Sequence, residues 1–260
     1  MKNTQALEKL VKTIETLRGP NGCLWDKEQT HESLKNNLIE ETYEVIDAID
    51  SKDSSKLKEE LGDLLLHVIF HSNLAKEEKQ FDIYDVINGI TEKMVHRHPH
   101  VFGDTKVKNT EEILDRWEKT KFKEKTSRKS ITDGIPNHFP ALLKANKLQK
   151  KVAKVGFNWK VIDDVIKKIE EELEEVKEAH NEKYAIETIK EEIGDLLFAT
   201  VNFARFLNIC PEEALNTTID KFKKRFAYIE KNIKPKYNKD IFNADLDEME
   251  NLWNEAKKYD

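Results

Sequence analysis

Two acidic stretches of the chain decide how it folds. Residues 37–66 read NLIEETYEVIDAIDSKDSSKLKEELGDLLL, and residues 168–198 read KIEEELEEVKEAHNEKYAIETIKEEIGDLLF. Each contains E-E-x-x-E, a spacer, and then E-E-[L/I]-G-D-L-L. The copies lie 131 residues apart at Glu41 and Glu172 and 132 residues apart at the second acidic block, so the spacers differ by one residue. An ordered match of this length indicates an internal duplication.

The duplication extends beyond these stretches. Further features recur in the same order: G-x-x-W at 22–25 and 156–159, K-x-x-x-R at 93–97 and 221–225, and W-x-x-x-K at 117–121 and 253–257. Between the copies lies a basic stretch without apolar rhythm, followed by Gly134 and Pro136. We therefore predict an N-terminal domain over residues 1–125, a linker over 126–139 and a C-terminal domain over 140–260.

The composition favours long amphipathic helices. Hydrophobic residues make up 38% of the chain and charged residues 36%, with only 8 Gly and 6 Pro to mark turns. Apolar residues recur at helical spacing, and no long segment alternates with period two. The predicted fold is all-α, a tandem of duplicated helical bundles. Expected helices cover 4–18, 32–50, 55–79, 83–97 and 110–122, with Asp82 and Thr110 as N-caps. Another is expected to begin at Pro140 and to bury Ala141, Leu142, Ala145, Leu148 and Val152.

Charge and cysteine usage exclude several classes of protein. A net charge of -6 argues against a basic surface that grips nucleic acid. Cys23 and Cys210 form no CxxC pattern, which indicates a reducing compartment without a disulfide framework. The N-terminus resembles an amphipathic helix rather than a signal peptide, and no apolar run approaches the roughly 20 residues of a membrane span. We therefore predict a soluble, cytoplasmic protein without nucleic-acid or membrane partners.

Two glutamates stand inside apolar helical stripes. At helical spacing, Glu41 aligns with Leu34, Leu38 and Val45, and Glu172 aligns with Val165, Ile169 and Val176. A Glu-Glu pair on a helix is usually part of a solvated face. A buried, unpaired carboxylate instead costs several kcal/mol, so a cation or a hydrogen-bond network must meet it. Because a glutamate occupies the same apolar position in both copies, we interpret both glutamates as functional.

More carboxylates accompany each of these glutamates. Glu44 and Glu175 lie one helical turn further on, and the next helix of each copy carries an i, i+3 pair: Glu60 with Asp63, and Glu192 with Asp195. Antiparallel packing would bring four acids together, and their repulsion predicts a divalent ion between them. Oxygen ligands without Cys or His favour Mg²⁺, or Mn²⁺, over zinc. Gly62 and Gly194 are expected to let the acidic helices approach closely.

Histidine, basic and aromatic residues add weaker signals. His67 and His71 have the spacing of a zinc pair, but the second copy has Ala199 and Phe203 there, so the shared chemistry does not depend on them. Lys93 with Arg97, and Lys221 with Arg225, could each hold phosphate oxygens. Trp117 and Trp253 either stack on a base or fill a core. A P-loop mechanism is excluded because the chain has no Walker-type glycine motif.

The ordered set of motifs resembles a known family. The two E-E-x-x-E…E-x-x-D blocks, HRHPHVFGD at 96–104, GFNW at 156–159 and GDLLFATVN at 194–202 are similar to the two-domain form of the MazG family of nucleoside triphosphate pyrophosphohydrolases. The resemblance implies an all-α fold, magnesium dependence, homodimers whose protomers share a helical core, and hydrolysis of NTP or dNTP to NMP and pyrophosphate.

The resemblance also implies roles for individual residues. The metal ligands of the second domain would be Glu172, Glu175, Glu192 and Asp195, and those of the first would be Glu41, Glu44, Glu60 and Asp63. The residues around the nucleotide would be Lys168, Glu171, Glu191, Lys221, Lys224, Arg225 and Trp253. The sequence departs from the family pattern at Thr188, where a lysine is expected, although Lys190 is close by.

The predicted mechanism uses these groups in one step. Magnesium binds the triphosphate and activates a water, which Glu171 or Glu172 orients or deprotonates for in-line attack on the α-phosphorus. Lys221 and Arg225 neutralise the leaving pyrophosphate. Alternatives are a related all-α pyrophosphohydrolase that acts on a phosphoribosyl nucleotide or an alarmone, or a non-catalytic helical interaction protein that binds metal.

Overall fold

The fold was examined in a computed structural model, which describes residues 4–110, 112–113, 116–117, 120, 124 and 130–259. These residues form helices and turns and contain no strand, so the predicted all-α class is confirmed. The α-helices with defined ends are α1 (Thr4–Arg18), α2 (Leu24–Glu28), α3 (Lys35–Ser51), α4 (Ser54–Glu77), α5 (Ile83–Arg97), α6 (Pro99–Phe102), α7 (Ala141–Ala153), α8 (Ile162–Asn181), α9 (Ile186–Phe206), α10 (Pro211–Tyr237) and α11 (Leu246–Ala256).

The helices of the first copy lie close to their predicted bounds. The predictions 4–18 and 83–97 agree with α1 and α5, while α3 begins three residues later than predicted and α4 ends two residues earlier. Asp82 caps α5, as predicted: its carboxylate accepts from the backbone amides of Tyr84 and Asp85 in a capping box.

The predicted helix 110–122 falls partly outside the described residues. Those that are described from residue 110 to residue 120 are helical. The expected N-cap at Thr110 is wrong, because Thr110 is already helical and the Asn109 side chain accepts from the amide of Glu112 at 2.9 Å. Asparagine and threonine are both good caps, so the sequence did not fix the choice.

The chain divides into two compact units, Met1–Lys125 and Thr126–Asp260. In the first unit, α3 and α4 form a hairpin, and a core of Ile14, Leu34, Ile69, Phe70, Leu74 and Ile83 packs beneath it. In the second unit, α8 and α9 form the corresponding hairpin, and α7 packs against α9. A separate core of Ile229, Ile233 and Leu252 joins α10 to α11.

The most deeply buried residues of helix α7 are not the ones predicted. It begins after Pro140, as expected, but Ala141 is exposed, and the expected apolar residues further along the helix are only half-buried. The buried residues of α7 are instead Asn146 and Gln149. Apolar periodicity does not identify these two positions because both carry amide side chains.

The two glycines in the acidic motifs do not provide close packing within a protomer. A Cβ built on Gly62 or Gly194 would meet no atom within 4 Å, so the expected role in bringing the acidic helices together is wrong. Both glycines face open space on the outer side of α4 and α9. Their cost of about 1 kcal/mol relative to alanine is therefore not offset by any contact inside the unit.

No single helix in the described ranges is long and apolar enough to cross a membrane, although the pair α9 and α10, bent by 104°, passes a test of length and composition alone.

The second unit should fold as a separate fragment. We expect residues 130–260 to give a cooperative helical melt by circular dichroism, because the unit has its own hairpin and core. A shorter fragment, 136–260, should melt at a lower temperature. It loses Ile131 and Asp133, whose carbonyls accept from Lys151 Nζ at 3.1 and 2.6 Å. An unfolded 130–260 fragment would contradict the predicted domain division, which otherwise stays a prediction.

Candidate active site

The second unit gathers carboxylates from α8 and α9 at one point. One oxygen from each of Glu172, Glu192 and Asp195 lies within 4.8 Å of the others. Glu172 is 6% exposed, which confirms that the glutamate in the apolar stripe is buried. A side-chain hydrogen bond to Glu172 and burial together raise the pKa of the neighbouring Glu175 carboxyl. All four predicted metal ligands of this unit therefore lie together.

The first unit repeats the arrangement on α3 and α4. Oxygens of Glu41, Glu60 and Asp63 also lie within 4.8 Å of one another. Burial raises the pKa of Glu41, and the charges of Asp63, Glu44 and Glu60 raise it further. The pKa of Glu60 is raised for the same reasons, burial first and then the charge of Glu44. Glu44 is exposed but close enough to act on both glutamates.

The chemistry of both clusters fits a hard divalent cation. Each offers several carboxylate oxygens, with no sulfur or imidazole among the grouped ligands, and this donor set suits Mg²⁺ or Mn²⁺. Raised carboxyl pKa values show that like charges are crowded here without enough compensation from the protein. A bound cation would relieve that repulsion.

A lysine distinguishes the second cluster from the first. Lys168 Nζ lies 2.6 Å from Glu171 Oε1 and 2.8 Å from Glu172 Oε1, so it joins the two glutamates predicted to be catalytic. Its hydrogen bonds to them raise the pKa of the Lys168 ammonium. At the offset of 131 residues, the first copy has Asn37 in this place. The two clusters thus share their acids but differ in the neighbouring positive charge.

A cavity of about 330 Å³ opens beside the second cluster. Lys168, Glu172 and Asp195 line part of it. The remaining wall is largely apolar and aromatic and includes Leu148, Val152, Phe157, Trp159, Phe198 and Ala199. This cavity was not predicted from the sequence, although the recurring G-x-x-W motif supplies part of its wall and could have indicated it.

Other predicted nucleotide-binding residues lie elsewhere in the second unit. Lys221, Lys224 and Arg225 on α10 line a different cavity of about 430 Å³, together with Tyr228 and others. Trp253 packs on the core between α10 and α11. Glu191 is exposed on α9, next to Glu192 in sequence. The structure therefore brings Lys168 to the acids but not the α10 residues, whose role on the substrate stays a prediction.

The arginine and tryptophan motifs form the same contact in both units. The guanidinium of Arg97 lies over the ring of Trp117 at 5.4 Å, and that of Arg225 lies over Trp253 at 5.2 Å. In the first unit, Arg97 is also buried against Glu124, whose pKa falls to about 2 because of hydrogen bonds from Arg97 and then His96. The arginine of one motif therefore packs on the tryptophan of the other in both units.

The histidines do not join the acidic cluster of the first unit. His71 Nδ1 lies 2.8 Å from His31 Nδ1, and the two rings stack. Burial lowers the pKa of both His67 and His71. Among the described residues, the three-ligand groups with metal-like spacing contain carboxylates alone.

The fold and site define a class of protein: an all-α chain in which each of two repeated helical hairpins carries a carboxylate cluster suited to a divalent cation. A family described as the MazG nucleotide pyrophosphohydrolase domain matches residues 29–102 and 162–229, one segment in each unit and more than half of the chain in total. The chain belongs to the MazG family.

Curated relatives agree with this assignment. The Bacillus subtilis uncharacterized protein YabN is 51% identical over 246 residues, which cover 94% of this chain and 50% of YabN. The Thermotoga maritima nucleoside triphosphate pyrophosphohydrolase/pyrophosphatase MazG is 45% identical over 96% of this chain and 95% of its own. The Escherichia coli nucleoside triphosphate pyrophosphohydrolase is 42% identical over 97% of each. The chain thus spans about half of YabN and nearly all of the other two.

Cation binding should strengthen as the pH rises. The raised pKa values of Glu41, Glu60 and Glu175 mean that their favourable contribution to stability is present at low pH and is lost as pH rises through values above the ordinary 4.5. We expect added Mg²⁺ to raise the melting temperature more at about pH 7.5 than at about pH 5.

The control for this experiment is the double variant Glu41→Gln, Glu172→Gln, which should lose most of the Mg²⁺-induced shift. Equal shifts at both pH values, or an undiminished shift in the double variant, would show that the ion binds elsewhere.

Proposed function

We propose that the chain hydrolyses nucleoside triphosphates, ribo or deoxy, to nucleoside monophosphate and pyrophosphate with Mg²⁺, or Mn²⁺, as cofactor. The observation that carries the proposal is the juxtaposition of the acidic cluster around the buried Glu172, Lys168 and the adjoining aromatic cavity in the second unit. Such a site offers a charged end for phosphates and an apolar end for a nucleoside. The names of the Thermotoga maritima and Escherichia coli relatives support the same substrate and reaction.

The proposed metal ligands are Glu172, Glu175, Glu192 and Asp195. A divalent cation, when bound, offsets phosphate charge and makes water easier to deprotonate. Lys168 keeps the neighbouring Glu171 and Glu172 carboxylates in place and supplies a positive charge beside them. The same ammonium faces the cavity, so it can donate hydrogen bonds to an entering phosphate.

Glu171 and Glu172 are the proposed groups that orient the attacking water. Either carboxylate can accept its proton as the oxygen attacks the α-phosphorus in line and pyrophosphate leaves. Glu171 is exposed and paired with Lys168, whereas Glu172 is buried within the acidic cluster. Neutralisation of the leaving group by Lys221 and Arg225 stays a prediction because they line the other cavity.

We also propose that the protein is a homodimer. Several large apolar side chains of the acidic hairpin are exposed, among them Leu173, Ile193 and Leu197. Gly194 lies between the last two with open space above it. The first unit repeats the pattern with Leu61, Gly62 and Leu65. A second copy packed on such a face would explain both the exposed apolar groups and the otherwise costly glycines.

Sedimentation equilibrium on the 130–260 fragment tests the homodimer and is expected to give a dimer. The predicted cytoplasmic location and the lack of nucleic-acid and membrane partners stay predictions.

The proposed reaction is tested by its products. The protein is incubated with each NTP and dNTP and Mg²⁺ in ¹⁸O-labelled water, and the products are separated. We expect NMP and pyrophosphate, with the label in the NMP, because water attacks the α-phosphorus. Detection of NDP with orthophosphate would refute the proposed reaction. The absence of turnover with intact Mg²⁺ binding would favour a non-catalytic metal site.

Glu172→Gln is expected to lower activity about 100-fold or more and to weaken Mg²⁺ binding, since it removes a central ligand. Stability should hold or rise because repulsion among the acids falls. Glu174→Gln is the matched control: Glu174 lies on the same helix, is exposed and pairs with Lys177 at 2.7 Å, so its loss should leave activity unchanged.

Glu41→Gln makes the same change in the first unit. We expect a smaller loss than in Glu172→Gln, because the first cluster has no lysine at the position of Lys168. Full activity and normal Mg²⁺ dependence in Glu172→Gln would remove that residue from the mechanism.

A further inference from the structure

Gln149 occupies a position that belongs to an apolar stripe. Helix α7 carries Leu142, Ala145, Gln149 and Val152, and α1 carries Leu7, Leu10, Ile14 and Leu17 with the same spacing. In each set the third residue is buried and the other three are half-buried. Gln149 therefore stands where the first unit has the core residue Ile14.

Two further pairs of corresponding positions differ between the units. At the offset of 132 residues, Phe70 in the core of the first unit corresponds to Asn202, and His67 corresponds to the smaller Ala199. Asn202, Ala199 and Gln149 all line the cavity beside the acidic cluster. The second unit thus has polar or smaller residues at positions where the first has large, buried side chains.

The orientation of the Gln149 amide is fixed by its partner. Its Nε2 donates to the carbonyl of Phe198 at 2.8 Å, and a carbonyl can only accept. The remaining atom, Oε1, is buried and has no hydrogen-bond partner, while the residue as a whole is 5% exposed. A buried acceptor without a donor is costly, and because Gln149 lines the cavity, a ligand bound there can supply the donor.

The position of this acceptor within the site limits what the donor can be. Lys168 and the carboxylates provide the charged part of the cavity, while Phe157, Trp159 and Phe198 provide flat apolar walls. Trp159 is anchored by its indole N–H, which donates to the carbonyl of Asp164 at 2.9 Å. A planar, apolar group with an N–H on its edge matches these walls and the unpaired acceptor of Gln149.

We propose that Gln149 is a specificity-determining residue whose Oε1 accepts a hydrogen bond from an amino or imino N–H on the edge of the substrate's nucleobase. The inference rests on the proposed function in that it takes the substrate to be a nucleotide. It deepens that function by assigning the nucleobase to the aromatic cavity and by requiring an N–H on its edge. A base analogue that lacks this N–H leaves the acceptor unpaired and binds less well.

The first test uses the unaltered protein with two pairs of substrates. ATP is compared with purine riboside triphosphate, which lacks the amino group, and UTP with 3-methyluridine triphosphate, which lacks the imino hydrogen. For at least one pair we expect kcat/KM to fall by roughly 5- to 150-fold when the N–H is removed.

The second test compares matched variants. Gln149→Met keeps the length of the side chain but removes the acceptor, so the ratio of kcat/KM within the sensitive pair should fall close to one. Asn146→Leu is the control, because Asn146 Oδ1 is also buried without a partner on the same helix but does not line the cavity. It should keep the wild-type ratio. Thermal melts establish that both variants are folded.

Two outcomes would overturn the proposal: no loss in either pair with the unaltered protein, or an unchanged ratio in folded Gln149→Met. The experiment also separates this proposal from the proposed reaction. If no triphosphate is hydrolysed, the proposed reaction fails, and calorimetric titration with ATP and purine riboside triphosphate in Mg²⁺ still measures whether Gln149 discriminates between them.

Discussion

The architecture depends on one constraint: a carboxylate inside an apolar helical stripe must be answered by positive charge. Glu172 is 6% exposed, and α8 alone supplies only Lys168 to meet it. The next helix adds more negative charge, from Glu192 and Asp195, rather than compensation. Such an arrangement is tolerable when a divalent cation joins the cluster, so the hairpin and the proposed ion would form one unit of structure.

The duplicated halves share the acidic cluster but use the adjoining space differently. In the first unit, Ile14 and Phe70 belong to a packed core beneath the hairpin. In the second, Gln149 and Asn202 stand at the matching positions and line a cavity. The acids were therefore retained in both copies, while the residues that could contact an organic ligand diverged. This divergence is the reason for proposing the second unit as the main site of turnover.

Sequence patterns predicted the parts of the site that depend on helical geometry. Glu41 and Glu172 were identifiable because an apolar stripe has a fixed period. The acids that accompany each of them form an i, i+3 pair on the next helix. The outward position of Gly194 was not predictable, because periodicity does not say which face of a helix meets a neighbour and which remains open. The same limit applies to Lys221 and Arg225: their spacing showed that they share a turn of helix, but only tertiary packing separates them from Lys168.

Gln149 was not predicted, because helical periodicity alone does not show that a polar residue in an apolar stripe is buried. It is a neutral counterpart of Glu172. Both are polar side chains at apolar positions. Glu172 has one cation partner, Lys168, but lies among further carboxylates, and the amide oxygen of Gln149 has no hydrogen-bond donor. Repulsion among carboxylates and an unpaired buried oxygen both lower the stability of the ligand-free protein, and a ligand that relieves them stabilises the protein on binding. A nucleotide with its cation would satisfy both at once, from opposite ends of one molecule. The two costly residues then favour the same ligand, whereas a cation or a nucleoside alone could satisfy only one of them.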